Sequence, residues 1–222
     1  MLFYYTIVKE PSRDLEKKFA DWAQEIQKIK DNKSLNEFIK NRFQSEIIVR
    51  QNTFEINFGN LLFSNMQKFK LRYILAKFSN FIEKERVDGA ESSLEEYFKS
   101  DVHIEHILPD ERNQKMLKAK FKGNTREYDL YKEKIGNLTF LEKPLNISIK
   151  NKDYKDKKSV YKKSKFYLTR SIVEKDQIGK QTSVIRVDKL LKTFDEWDKE
   201  TITSRGELFL KLSSKIWKID SI

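Results

Sequence analysis

The chain has 222 residues, no cysteine, six glycines and three prolines, and its 45 Lys+Arg against 34 Asp+Glu give a net charge of +11. Disulfides and cysteine-based zinc staples are excluded, no stretch approaches the 18 or so apolar residues of a membrane span, and the scarcity of glycine and proline favours helices over a turn-rich sandwich. With 38% apolar residues, including 16 Phe, 9 Tyr and 3 Trp, the chain can bury a real core. The positive surplus points to a polyanion partner or to a solvated lysine-rich surface; composition does not choose between them.

The opening residues 1–8 are apolar but short. They lack a basic leader and a small-residue cleavage site, so they read as an element cut from a longer chain rather than a secretion signal. A cytoplasmic setting is expected. Residues 11–30 read as a helix, with Leu15, Phe19, Trp22, Ile26 and Ile29 on one stripe and Pro11 and Ser12 at its start. A second helix is expected over 34–43, through Leu35, Phe38, Ile39 and Phe43. Residues 46–58 are ambiguous between strand and loop. A long helix is expected over 61–86, with Met66, Phe69, Tyr73, Ile74, Phe78, Phe81 and Ile82 inward, broken at Asp88-Gly89. Ser93 and Glu96 form a capping box for a short helix ending near Lys99. Residues 1–99 thus read as a helical domain without recognisable chemistry.

The character changes at residue 101. The run from Val102 to Leu108 is β-rich and stops at Pro109. Residues 110–134 are polar and charged, with Gly123-Asn124 as a turn. Ile135 to Leu141 is a second short strand candidate, Pro144 opens a helical stretch through Asn146, and a lysine-rich helix follows near 151–168. Helical patterning returns over 184–222, through Val187, Leu190, Leu191, Phe194, Leu208, Leu212 and Ile216, with Ser204 and Glu207 as a capping box.

The only two histidines, His103 and His106, stand three residues apart with Glu105 between them. An imidazole is the side chain best suited to take a proton near neutral pH, and a neighbouring carboxylate is an oxygen ligand for a hard cation. A regular strand sends Glu105 and His106 to opposite faces, whereas His103 and Glu105 share one. Two pairings therefore stay open: Glu105 with His106 where the strand ends before Pro109, or Glu105 with His103.

The run from His103 to Pro109 resembles the first strand of an HNH (ββα-metal, His-Me finger) nuclease, where an acidic residue and a histidine stand side by side. Ile135 to Leu141 resembles the second strand with its asparagine, and Asn146 falls where the family's helix supplies its last ligand. Across 101–165 the pattern is similar to the C-terminal domain of GmrSD-type modification-dependent restriction enzymes: Glu-His-Ile-x-Pro, Gly-Asn-Leu-Thr, Asn, then Lys157, Tyr161 and Ser164. Trp197, Ile202, Arg205 and Ile216-Trp217 fit the tail of such domains. The resemblance implies His106 as general base, Glu105 and Asn146 as ligands of one divalent cation, and Asn137 as the residue orienting the His106 ring; His103, by sharing the strand face of Glu105, is a second-rank site residue expected to bind phosphate. Oxygen ligands favour Mg²⁺ or Mn²⁺ over Zn²⁺. It also implies DNA as substrate, a 5′-phosphate and a 3′-hydroxyl as products, phage defence as the setting, and a partner domain or subunit that hydrolyses nucleotides and senses modified DNA. No Walker-type loop is present in this sequence.

From Lys143 to Arg170 there are ten basic and two acidic residues, interleaved with Tyr154, Tyr161, Phe166 and Tyr167. Lys150, Lys152, Lys157, Lys158, Tyr161, Lys162 and Ser164 are the expected contacts to a nucleic-acid backbone. The expected architecture is α+β and mostly helical: a helical domain over 1–99, an HNH core over 100–170 flanked by helices, and C-terminal helices over 171–222. The alternative function is a catalytically inactive DNA-binding module of the same fold.

Overall fold

The structure is a computed structural model that describes residues 1–86, 93–112, 114–175 and 189–217. It divides into two compact units, Met1–Asn60 with Ser213–Ile222, and Leu61–Leu212. The architecture is α+β and mostly helical, with one small antiparallel sheet. No helix among the described residues is long and apolar enough to cross a membrane. Asp88, Gly89 and Val187 lie outside the described residues.

In the first unit, α1 (Leu2–Val8) and α2 (Ser12–Ile26) are followed by α3 (Asn32–Phe38), which continues through a π-helical segment (Ile39–Gln44) into α4 (Ser45–Gly59). Residues 46–58 are therefore helical. Their β-branched run suggests a strand, but Ile47, Phe54 and Phe58 are buried at spacings of seven and four, which only a helix places on one side. Tyr4 stacks on Phe54 at 4.3 Å and its hydroxyl donates to Gln51 Oε1 at 2.8 Å, so the apolar opening of the chain is a core helix. Of the α2 stripe, Leu15 and Trp22 are buried while Phe19 and Ile26 remain partly exposed.

In the second unit, a 3₁₀ turn at Phe63–Asn65 precedes α5 (Lys68–Arg86). The buried face of α5 is Leu71, Ile74, Leu75, Phe78 and Ile82; Phe69 is 68% exposed, so the expected stripe is rotated away from its first members. Ser93 caps a 3₁₀ turn over Leu94–Phe98, and its hydroxyl accepts from the backbone of Glu95. Strand β1 (Val102–His106) pairs antiparallel with β2 (Leu138–Glu142), with His103 opposite Leu141, Glu105 opposite Thr139 and His106 opposite Leu138. Both strands are shorter than expected. Beyond His106 the Ile107 amide bonds Asn137 O, and residues Ile135–Asn137 form a 3₁₀ turn.

The polar stretch between the strands holds two helices, α6 (Gln114–Phe121) and α7 (Thr125–Glu133). Met116, Leu117, Phe121 and Tyr128 bury themselves among Ile107, Leu108 and Leu141. Gly123, at φ +78, makes the turn between them, and Asn124 caps α7 by accepting from Glu127 N at 3.1 Å. After β2 come α8 (Lys143–Ile149), with Pro144 in its first turn, then α9 (Tyr154–Tyr161), α10 (Tyr167–Arg170) and α11 (Lys199–Ile216), whose residues up to Leu212 belong to this unit. Asp198 caps α11 by accepting from Thr201 N at 2.9 Å; Ser204 and Glu207, expected as a capping box, lie inside the helix.

Gly136 sits where α11 crosses the start of β2. A Cβ there would lie 2.1 Å from Ile202 O, so no side chain fits without moving backbone. Arg205, 2% exposed, donates from Nη1 to Gly136 O at 2.9 Å and Leu138 O at 2.6 Å. Burial lowers its guanidinium to about 9, and its Nη2 has no partner among the described residues. The helix is thereby locked onto the Gly-Asn-Leu segment.

Candidate active site

Directly opposed residues of an antiparallel pair share a face, and neighbours along a strand alternate. His103, Glu105, Thr139 and Leu141 therefore form one face of the sheet, and Ile104, His106, Leu138 and Phe140 the other. The first face is covered by α8 and α9. Asn146, on α8, brings Nδ2 to 3.2 Å from His103 Nδ1. Glu105, 5% exposed, meets α9: its Oε1 accepts from Lys157 Nζ at 2.7 Å and from Tyr161 OH at 2.8 Å. Its Oε2 carries no hydrogen bond among the described residues. The Oδ1 of Asn146 is equally uncommitted. Two oxygens on this side are thus left without a protein partner.

His106 stands apart from them. Its ring packs edge-on against Phe63 with centroids 5.1 Å apart, and its buried Nε2 has no hydrogen-bond partner among the described residues. Burial is the main force lowering its pKa to about 4; Asp110 opposes the shift, while Lys132 and Lys157 add to it. The ring is therefore neutral at pH 7. The His103 pKa is also lowered, first by burial and then by Lys143, Arg72 and Lys68.

Asn137 is fully buried and every hydrogen-bonding position of its amide is taken. Oδ1 accepts from Leu108 N at 2.7 Å and from the Trp197 indole at 2.9 Å; Nδ2 donates to Leu108 O at 3.1 Å and Lys132 O at 2.8 Å. The contact to the His106 ring that the resemblance implies is not among them. Asn137 holds the backbone two residues beyond His106, and Trp197 is tied to it through the indole. The Tyr128 hydroxyl, bonded to Pro109 O at 2.8 Å, fixes the next residue along.

The expected backbone-binding residues divide into two groups. Lys157, Tyr161 and Ser164, expected at a nucleic-acid backbone, are buried and point into the fold. Lys157 spends all three N–H groups, on Glu105 Oε1, on His106 O at 2.7 Å and on Ile107 O at 3.2 Å. Burial lowers its pKa, with Glu105 opposing, and burial together with Glu105 raises the Tyr161 hydroxyl well above its usual value, so it remains a donor. The Ser164 hydroxyl donates to Glu142 Oε2 at 2.9 Å. Lys150 and Lys152 are exposed beyond the end of α8 and carry no ion pair among the described residues. Lys158 and Lys162 are outward too, but face Asp195 at 3.6 Å and Glu174 at 2.9 Å.

Sequence reasoning missed the inward turn of Lys157 and Tyr161. The available signal was their spacing: Tyr154, Lys157 and Tyr161 repeat at three and four, which makes them one face of α9. Phe63, distant in sequence from His106, gave no signal.

No group of three His, Asp or Glu side chains among the described residues is arranged to hold a metal. Glu105 and Asn146 offer a carboxylate oxygen and an amide oxygen, donors of the kind a hard divalent cation takes, with water and phosphate left to complete the shell. No curated protein and no solved structure matches the chain. Residues 48–212 match the family described as GmrSD restriction endonucleases, C-terminal domain. With most of its length inside that match, including both strands, Asn146 and the clamp on Glu105, the chain belongs to the GmrSD C-terminal domain family.

Proposed function

We propose that the chain is a divalent-cation-dependent endonuclease of the HNH type that hydrolyses phosphodiester bonds in DNA, acting in restriction and phage defence. The family is one of restriction endonucleases, which supports a nuclease role with DNA as substrate. The single observation that carries the site is Glu105: a buried carboxylate held through one oxygen by Lys157 and Tyr161, with the other unbonded on the face that also carries Asn146.

Glu105 Oε2 and Asn146 Oδ1 are the atoms that would hold the cation, which when bound supplies charge neutralisation at the scissile phosphate and the departing oxygen. The family resemblance gives the proton of the attacking water to His106, whose ring lies on the opposite face of the sheet from these two oxygens. The water oxygen bonds to phosphorus and the P–O3′ bond breaks, leaving a 5′-phosphate and a 3′-hydroxyl. Lys150 and Lys152 contact the backbone without reading sequence. Recognition of modified DNA belongs to a nucleotide-hydrolysing partner domain or subunit.

A second reading is favoured by one contact. His103, not His106, touches Asn146 and shares the sheet face of Glu105, which makes His103 the proton acceptor and His106 a packing residue beside Phe63. Cleavage of supercoiled plasmid with Mg²⁺ or Mn²⁺ tests the function itself. Activity abolished by EDTA and lost in Glu105→Gln is expected. DNA binding without cleavage under either metal would instead leave a catalytically inactive binding module.

A further inference from the structure

The interior of the second unit holds a lysine that no DNA contact can use. Lys157 is fully buried and its side chain is 1% exposed, yet its Nζ lies 2.7 Å from Glu105 Oε1. A buried ion pair is weak evidence for stability, because desolvation offsets most of the attraction. Its geometry is more informative. Lys157 and Tyr161 stand four apart on α9, so both project from one side of the helix, and both donate to the same oxygen, Oε1. Lys157 also reaches the carbonyls of His106 and Ile107, the point where β1 ends. The carboxylate, the strand end and α9 are therefore fastened together by one ammonium group. A glutamate tethered at Cδ alone turns freely about its last torsion. With two donors on Oε1 and none on Oε2, that rotation is fixed.

We propose that Lys157 and Tyr161 are positioning residues that pin Oε1 of Glu105 and thereby present Oε2 to the divalent cation. The proposal rests on the cation-dependent reading above and names what builds that site. Groups that hold a metal ligand from behind are worth about 10–100-fold in metal affinity or activity.

The test is Mn²⁺ binding to the full chain, read by electron paramagnetic resonance, alongside plasmid cleavage and thermal unfolding. Three variants are compared: Glu105→Gln, Tyr161→Phe and Lys157→Met. Tyr161→Phe keeps the ring and the charge and removes a single donor. It is expected to weaken Mn²⁺ binding about tenfold and to lower kcat with KM for DNA unchanged, while the unfolding midpoint holds. Rescue of its rate by raised Mn²⁺ supports the proposal. Wild-type or tighter Mn²⁺ binding in both Tyr161→Phe and Lys157→Met overturns it, even where stability falls. Wild-type Mn²⁺ binding in Glu105→Gln overturns the cation reading itself, and the positioning role with it.

Discussion

The two faces of the small sheet differ in how their polar groups are satisfied. Toward α8 and α9, Glu105, Lys157, Tyr161, His103 and Asn146 are joined in specific contacts, and what remains open is a carboxylate oxygen and an amide oxygen. On the other face, the His106 ring lies beside Phe63 with its buried Nε2 unbonded. A buried polar atom without a partner costs on the order of 1–3 kcal/mol, and such a cost persists most readily where a ligand completes the bond. One face thus leaves two oxygens open, and the other leaves one ring nitrogen unpaired among the described residues.

The largest expected effect comes from breaking that contrast. General-base catalysis is worth about 10²–10⁴ in rate, so His106→Ala is expected to lose roughly three orders of magnitude in cleavage while His103→Ala loses far less. Plasmid nicking at fixed Mn²⁺ reads both, and the reverse order would transfer the role of base to His103. Next comes Gly136→Ala. The new Cβ meets Ile202 O and Gly206 N, backbone atoms of α11 that cannot swing aside. A loss of about 3 kcal/mol is expected, since overpacking of this kind costs 1–3 kcal/mol or more; urea unfolding reads it.

The exposed lysines give a smaller effect. Lys150→Glu with Lys152→Glu is expected to weaken duplex binding about tenfold and flatten its salt dependence. Lys158→Glu with Lys162→Glu is expected to change it less, because Asp195 and Glu174 already face those side chains. Fluorescence anisotropy over a salt series compares the pairs. The smallest effect belongs to Glu196, which Lys120 and Lys155 hold down to about 2 from an ordinary 4.5. A carboxyl depressed on folding contributes stability that is present above pH 4.5 and lost as the pH falls from there through about 2. Glu196→Gln is expected to flatten the acid limb of a thermal-unfolding series slightly, the pair being at the surface.

Much of this was legible in the residues. The two strands and the helix after them over 101–149 followed from β-rich runs bounded by Pro109 and Pro144, though with a loop expected between the strands, and α2 followed from its 3.6-residue repeat. Alternation along β1 marked His103 and Glu105 as sharing a face, which the register shows. What was illegible depends on partners far along the chain. Residues 110–134 looked like a loop because exposed charges outnumber the few apolar anchors, Met116, Leu117, Phe121 and Tyr128, that hold two helices in place. Lys157 looked like a surface cation because lysine mostly is one; its spacing from Tyr154 and Tyr161 was the one local signal, and its partner is a carboxylate 52 positions earlier. Asn137 was identified, but its work is on the Leu108 backbone and the Trp197 indole rather than on a ring.

Crystals soaked in Mn²⁺ and measured at the manganese absorption edge test the central claim most directly. The account predicts one anomalous peak at roughly 2.1 Å from both Glu105 Oε2 and Asn146 Oδ1, with Lys157 and Tyr161 still on Oε1. A fully soaked crystal with no peak at those two oxygens, or with manganese bound elsewhere in the second unit, would contradict it.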